Sequence, residues 1–133
     1  QDRLPAPRPR VKRPTREAWL IVALRGAHKV LLERRPPSGI WGGLWGLPEI
    51  SSVDAAGEWC SAQFGIAPDQ IHSRPVLRHG FTHFDLDITP VECRLAQVPL
   101  RAMESDRWLW YNKTAPAKVG LAAPVTRLID SLL

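Results

Sequence analysis

Arg78-His79-Gly80-Phe81-Thr82-His83-Phe84 gathers into seven residues most of what a protein needs to touch a nucleic acid. A phenylalanine such as Phe81 wedges between base steps. The Thr82 hydroxyl both donates and accepts a hydrogen bond at a base edge. Arg78, His79 and His83 are residue types that bind backbone phosphate. A second pair, Asp54 and Glu58, stands one helical turn apart, a spacing that lets two carboxylates share a metal ion; the same placement suits the positive end of a helix. The bland reading of the first cluster stays open beside the functional one. In it Phe81 and Phe84 are core residues and His83 is a surface histidine.

The elements around these residues follow from periodicity. Phe84-Asp85-Leu86-Asp87-Ile88 alternates apolar and acidic side chains, a strand pattern, and Val91–Leu95 extends it beyond Pro90. Phe84 shares the face of Leu86 and Ile88, so it belongs to the core. Phe81 has the opposite parity. Strict alternation turns Thr82 inward, so a role on DNA requires a turn that reaches past it. We expect that turn at His79-Gly80, after a strand over Ile71–Arg78. Ala18–Arg25 and Lys29–Arg34 read as strands of a hairpin about Gly26-Ala27-His28. Pro36-Pro37-Ser38-Gly39 breaks the chain, and Ile40–Leu47 ends in a short strand. Ser51 or Ser52 caps a helix that runs to about Phe64 and stops at Gly65. Trp108–Asn112 is a further strand. Pro124 opens a last helix with Val125, Leu128, Ile129 and Leu132 on one stripe. The fold class is α/β, a mixed β-sheet flanked by two main helices.

At 133 residues the chain is one domain long. No apolar run approaches the roughly 18 residues of a membrane span. Cys60 and Cys93 are far apart and lack metal-site spacing, so we expect buried free thiols. The charge is uneven. Residues 1–16 hold six cationic side chains against Asp2, a net of +5, while residues 17–133 balance twelve against twelve. With Pro5, Pro7, Pro9 and Pro14, the leader reads as an extended basic linker beside a polyanion, or as a solubilising tail. Trp41 and Trp45 offer faces for base stacking, though six tryptophans in so small a domain are mostly core. Arg34 and Arg35 are surface charges or phosphate contacts.

Glu33–Glu49 reads ERRPPSGIWGGLWGLPE and resembles the opening of a Nudix fold, the scaffold of metal-dependent pyrophosphohydrolases. The signature of that family closes on a glycine and an apolar residue, matched by Gly65 and Ile66. Counting back places its two metal-binding glutamates at Ala62 and Gln63 and its Arg-Glu pair at Glu58 and Trp59; none of the four matches. Magnesium requires carboxylate oxygens, and pyrophosphate cleavage requires the metal. Together with RHGFTHFDLDI at Arg78–Ile88, WYN at Trp110–Asn112 and VGLAAPV at Val119–Val125, the chain resembles the C-terminal domain of the A/G-specific adenine DNA glycosylase. That resemblance implies a Nudix-like fold over residues 17–133 without catalytic residues or bound metal, preceded by an interdomain linker at 1–16. It implies recognition of 8-oxoguanine opposite adenine in duplex DNA, inside the cell. The family's Phe-Ser-His loop falls on Phe81, Thr82 and His83, with Phe81 wedged beside the lesion, Thr82 on the oxidised base and His83 on phosphate. A separate N-terminal domain, absent from this chain, would remove the adenine and carry an iron–sulfur cluster, and the linker would dock protein partners. Two other classes remain as alternatives: a free-standing pyrophosphohydrolase of oxidised guanine nucleotides, and a protein-interaction module.

Overall fold

A computed structural model describes residues 13–26, 28–35, 37–38, 42–65, 68, 70–95 and 107–132. Leader residues 1–12, Trp41 and Ile66 lie outside them. The centre of the fold is β1 (Thr15–Arg25), whose apolar run is buried on both sides. It turns at Gly26, where φ is +69°, into the antiparallel β2 (Lys29–Arg34) with Leu24 opposite Val30. The short β3 (Trp45–Gly46) pairs with the end of β2, and β4 (Glu49–Ile50) with β1.

The decisive long-range pairing is parallel. β7 (Asp85–Arg94) lies beside β1 from Thr15 opposite Asp85 to Leu24 opposite Arg94. On its other edge β7 takes β5 (Gln70–Ser73) and then β6 (Leu77–Gly80), both antiparallel. β8 (Trp108–Asn112) completes the eight-stranded mixed sheet against β2. The helices α1 (Ala56–Phe64) and α2 (Ala123–Leu132) cover opposite faces. Even-numbered β1 residues such as Leu20 and Val22 join Leu86, Ile88, Val125 and Leu128 on the α2 face. Ile21 and Ala23 join Ala56, Cys60, Val91 and Cys93 on the α1 face. The expected mixed sheet between two helices is therefore what the chain forms.

Four local expectations need correction. β1 starts at Thr15 rather than Ala18, because the parallel ladder with β7 supports polar residues that have no apolar signal of their own. The single strand expected over Ile71–Arg78 is two. Three residues, Arg74–Val76, face only Thr89 and Pro90, since Ser73 pairs with Val91 and Leu77 with Ile88. Pro90 has no N–H to give a neighbour, and its carbonyl instead accepts the Arg74 amide at 2.8 Å, so the ladder breaks and restarts one residue out of step. His79 and Gly80 sit within β6, and β7 begins at Asp85 rather than Phe84. Neither Ser51 nor Ser52 makes a side-chain cap. A 3-10 turn at Val53–Ala55 precedes α1, and the Ser52 carbonyl accepts from Ala55. Gly65 does end α1, at φ +75°.

Candidate nucleic-acid interface

The turn that joins β6 to β7 is Phe81–Phe84. Gly80 pairs with Asp85 beneath it, and the Phe81 amide donates to the Phe84 carbonyl at 2.8 Å. Gly80 does not have a positive φ. Aromatic packing shapes the turn instead. The Phe81 and Phe84 rings stack at 4.6 Å and 22°, and His79 meets Phe81 edge-on at 4.8 Å. Both phenylalanines are half-buried against the α2-face core. Arg16, on β1, places its guanidinium 4.3 Å from the Phe84 ring centre, a cation–π contact. With the rings turned to the core, Thr82 and His83 are left exposed at the tip. The turn thus carries Thr82 past the inward position that strand alternation assigned to it.

The structure brings His79, Phe81, Thr82 and His83 together and sets Arg78 apart. His79 is opposite Leu86, on the α2 face, whereas Arg78 is opposite Asp87 on the other face. Arg78 is forked onto that carboxylate, Nε to Oδ1 at 2.8 Å and Nη2 to Oδ2 at 3.0 Å. The fork holds the Asp87 carboxyl below the usual carboxylate range. Asp85 lies 3.9 Å from Arg78 and 3.0 Å from Arg13. Phe81 is in the stack, so wedging it into DNA would break two ring contacts. Sequence reasoning missed Arg13 and Arg16 as partners of this turn. Both were counted only as leader charge; the parallel register of β1 on β7, which places them here, has no local signature.

The acidic positions on α1 are a separate place. A cleft of about 350 Å³ is lined by Glu49, Ser51, Glu58, Trp59 and Ala62 among others. Asp54 is exposed on the 3-10 turn and does not line it. Trp59 is committed to packing, edge-on to Phe64 at 5.9 Å and to Trp108 at 6.1 Å. Among the described residues no three His, Cys, Asp or Glu side chains converge as metal ligands, and the carboxylates that line the cleft are Glu49 and Glu58. Cys60 and Cys93 are buried free thiols. The hydrogen bond with Cys60, and after it burial, push the Cys93 thiol up. A further cleft of about 410 Å³ is lined by Arg34, Arg35 and Arg107, where Arg107 pairs with Glu33 at 2.7 Å and Arg35 with Glu49 at 3.5 Å. No helix among the described residues is long and apolar enough to cross a membrane.

Comparison with known proteins places this geometry in context. The chain is 25% identical over 118 residues to the adenine DNA glycosylase of Buchnera aphidicola subsp. Acyrthosiphon pisum (strain APS), covering 89% of this chain and 33% of that protein. It therefore spans about a third of the length of that relative. Its fold is similar to the complex between the C-terminal domain of mouse MUTYH and human PCNA, with a TM-score of 0.68, 17% identity and coverage of 86% of this chain and 84% of that one. It is also similar to the MutT NUDIX hydrolase from Burkholderia pseudomallei, at a TM-score of 0.65, 18% identity and coverage of 90% and 98%. At such identities the two structures speak for the fold alone. The model of the NUDIX domain matches residues 18–131, and the chain belongs to that family.

Proposed function

We propose that this chain is the lesion-recognition domain of an adenine DNA glycosylase, and that the Phe81–Phe84 turn reads 8-oxoguanine opposite adenine in duplex DNA. The observation that carries the reading is the turn itself: Thr82 and His83 stand exposed on an aromatic base, in a chain similar to an adenine DNA glycosylase over 118 residues. In this reading Thr82 bonds the oxidised base and His83 a phosphate. Phe81 supports the tip, or wedges beside the lesion once the stack opens. Arg78 and His79 flank the contact. Because β1 already begins at Thr15 and Arg13 contacts the turn, the linker expected over residues 1–16 narrows in this reading to residues 1–12; protein partners dock there, and adenine removal belongs to an N-terminal domain that carries the iron–sulfur cluster. The protein then works inside the cell, on DNA, and the domain has no activity of its own. The test is adenine removal by the full-length parent from 8-oxoguanine:adenine and guanine:adenine duplexes. Thr82→Ala with His83→Ala should shrink the preference for the oxidised base; an unchanged ratio sinks the reading.

A second reading has one observation in its favour. The α1 cleft keeps two carboxylates, Glu49 and Glu58, and the fold is similar to that of a MutT NUDIX hydrolase. Magnesium-dependent turnover of 8-oxo-dGTP that vanishes in Glu49→Ala with Glu58→Ala would establish it.

A further inference from the structure

We propose that Arg13 is a positioning residue, clamping the Phe81–Phe84 turn from outside the hairpin. Its Nη2 donates to the carbonyl of Phe81 and, at 2.9 Å, to that of Phe84, and lies 3.0 Å from Oδ1 of Asp85. These acceptors run from the first residue of the turn to the residue just after it. The Phe84 carbonyl also accepts the Phe81 amide, so the guanidinium grips the very bond that closes the turn. Arg13 is itself held in place: the next residue, Pro14, accepts the Asp85 amide at 3.0 Å, and Thr15 opens the ladder opposite Asp85. Arg16 then holds the Phe84 ring from the same segment.

The clamp has a chemical consequence. A turn whose tip residues are exposed gains little from burial to offset the entropy of fixing its backbone. Hydrogen bonds from a guanidinium are roughly twice as strong as neutral ones, and they fix the backbone without covering the tip. They also select acceptors. With the Phe81 and Phe84 carbonyls occupied, those of Thr82 and His83 have no hydrogen bond among the described residues. These are the backbone acceptors left for an N–H on a base. Oxidised guanine carries a donor at N7 where guanine carries an acceptor. A fixed carbonyl at the tip would accept from the first and face the lone pair of the second. This inference rests on the turn reading 8-oxoguanine, and it adds that the segment before the sheet sets which groups the turn presents.

The experiment uses the 133-residue chain with Arg13→Ala, and Lys118→Ala as a control that removes an exposed cation elsewhere. The first readout needs no DNA. Amide exchange at Phe81, followed by NMR, should speed up at least about tenfold, the loss expected for a charge-assisted bond, while β1 and β7 amides stay protected. The second is the binding preference for an 8-oxoguanine:adenine duplex over guanine:adenine, which should fall about threefold or more. Lys118→Ala should leave both unchanged. Unaltered exchange at Phe81 overturns the clamp whatever the DNA does. Faster exchange with an intact preference, where Thr82→Ala abolishes it, overturns the positioning role. A preference that neither Arg13→Ala nor Thr82→Ala moves refutes the reading of the turn instead, and the exchange rate still judges the clamp. Should Arg13→Ala fail to fold, Asp85→Asn weakens the same clamp from its other side and takes the same two readouts.

Discussion

Neutralising one carboxylate tests whether the outer face of the β6–β7 hairpin faces DNA. Arg78 is forked onto Asp87 with bonds of 2.8 and 3.0 Å, and Asp85 stands 3.9 Å away. A phosphate that takes the forked edge of Arg78, its Nε and Nη2, displaces Asp87. The cation gained by the DNA is then matched by an anion released to solvent, and the net exchange of counterions is close to nil. Asp87→Asn removes that competition at almost constant shape. Each additional phosphate neutralised steepens the slope of log affinity against log salt by about 0.9. Between 50 and 200 mM salt, a fourfold change, the variant should therefore lose about 3.5-fold more affinity than the parent chain. At low salt it should bind more tightly.

Fluorescence anisotropy on a labelled 8-oxoguanine:adenine duplex, at four salt concentrations, measures both quantities. Arg78→Ala added to Asp87→Asn should return the slope to its starting value. Equal slopes for parent and Asp87→Asn would show that Arg78 does not reach the backbone, and would remove it from the site. Weaker binding by a folded Asp87→Asn would refute the reasoning differently, by making Asp87 the group that aims Arg78 at its target.

Four further outcomes are expected. Thr82→Ser keeps the hydroxyl and should keep mismatch preference, whereas Thr82→Val keeps the shape, loses the hydroxyl and should lose it; equal behaviour would mean the backbone alone reads the base. Removing residues 1–12 takes away Arg3, Arg8, Arg10 and Lys12 and should flatten the salt slope by up to about 3.6; no change would make that segment a tether. Because Arg78 depresses the carboxyl of Asp87, that pair stabilises the fold above the unfolded-state pKa and stops doing so as pH falls through the lower folded value. The urea midpoints of parent and Asp87→Asn should accordingly keep a constant gap from pH 5 to 8 and converge only in strong acid. Cys60 and Cys93 are both fully buried, so a thiol reagent at pH 8 should label neither until urea is added, and rapid labelling of the native chain would contradict the packing.

What could be read in the sequence was what is local. The β1–β2 hairpin, the helix ended by Gly65, the stripe of Val125, Leu128 and Ile129, and the core side of Phe84 all carry their signal within a few residues. The turn lies two residues beyond His79-Gly80: glycine is the usual agent of a turn, yet Gly80 has no positive φ and stays in β6, and a stacked pair of phenylalanines packs the turn instead. The parallel register of β1 on β7 joins Thr15 to Asp85 across the whole domain. Nothing near either residue announces it. Arg13 and Arg16 therefore looked like mere charge until that pairing set them against the turn.

The two places that could carry function lie on different faces of the sheet. Phe81 and Phe84 pack with the α2-face core, and Trp59 with the α1-face core. Changes at one need not disturb the other, and effects at sites so separated tend to add. Within the α1 site the cost of restoring acids is uneven. Glu58, Ala62 and Gln63 are exposed, so carboxylates at 62 and 63 should be tolerated. Trp59 is different, because its ring is wedged against Phe64 and Trp108, and Phe64 in turn stacks on Trp110 at 6.3 Å. Truncating a packed tryptophan costs about 3–5 kcal/mol, and a carboxylate put there would add the cost of a half-buried charge. The chain has tied one position of the metal motif into its core. Putting a carboxylate back at Trp59 is therefore opposed by packing, whereas the Phe81–Phe84 turn exposes its polar tip because its rings already satisfy the core.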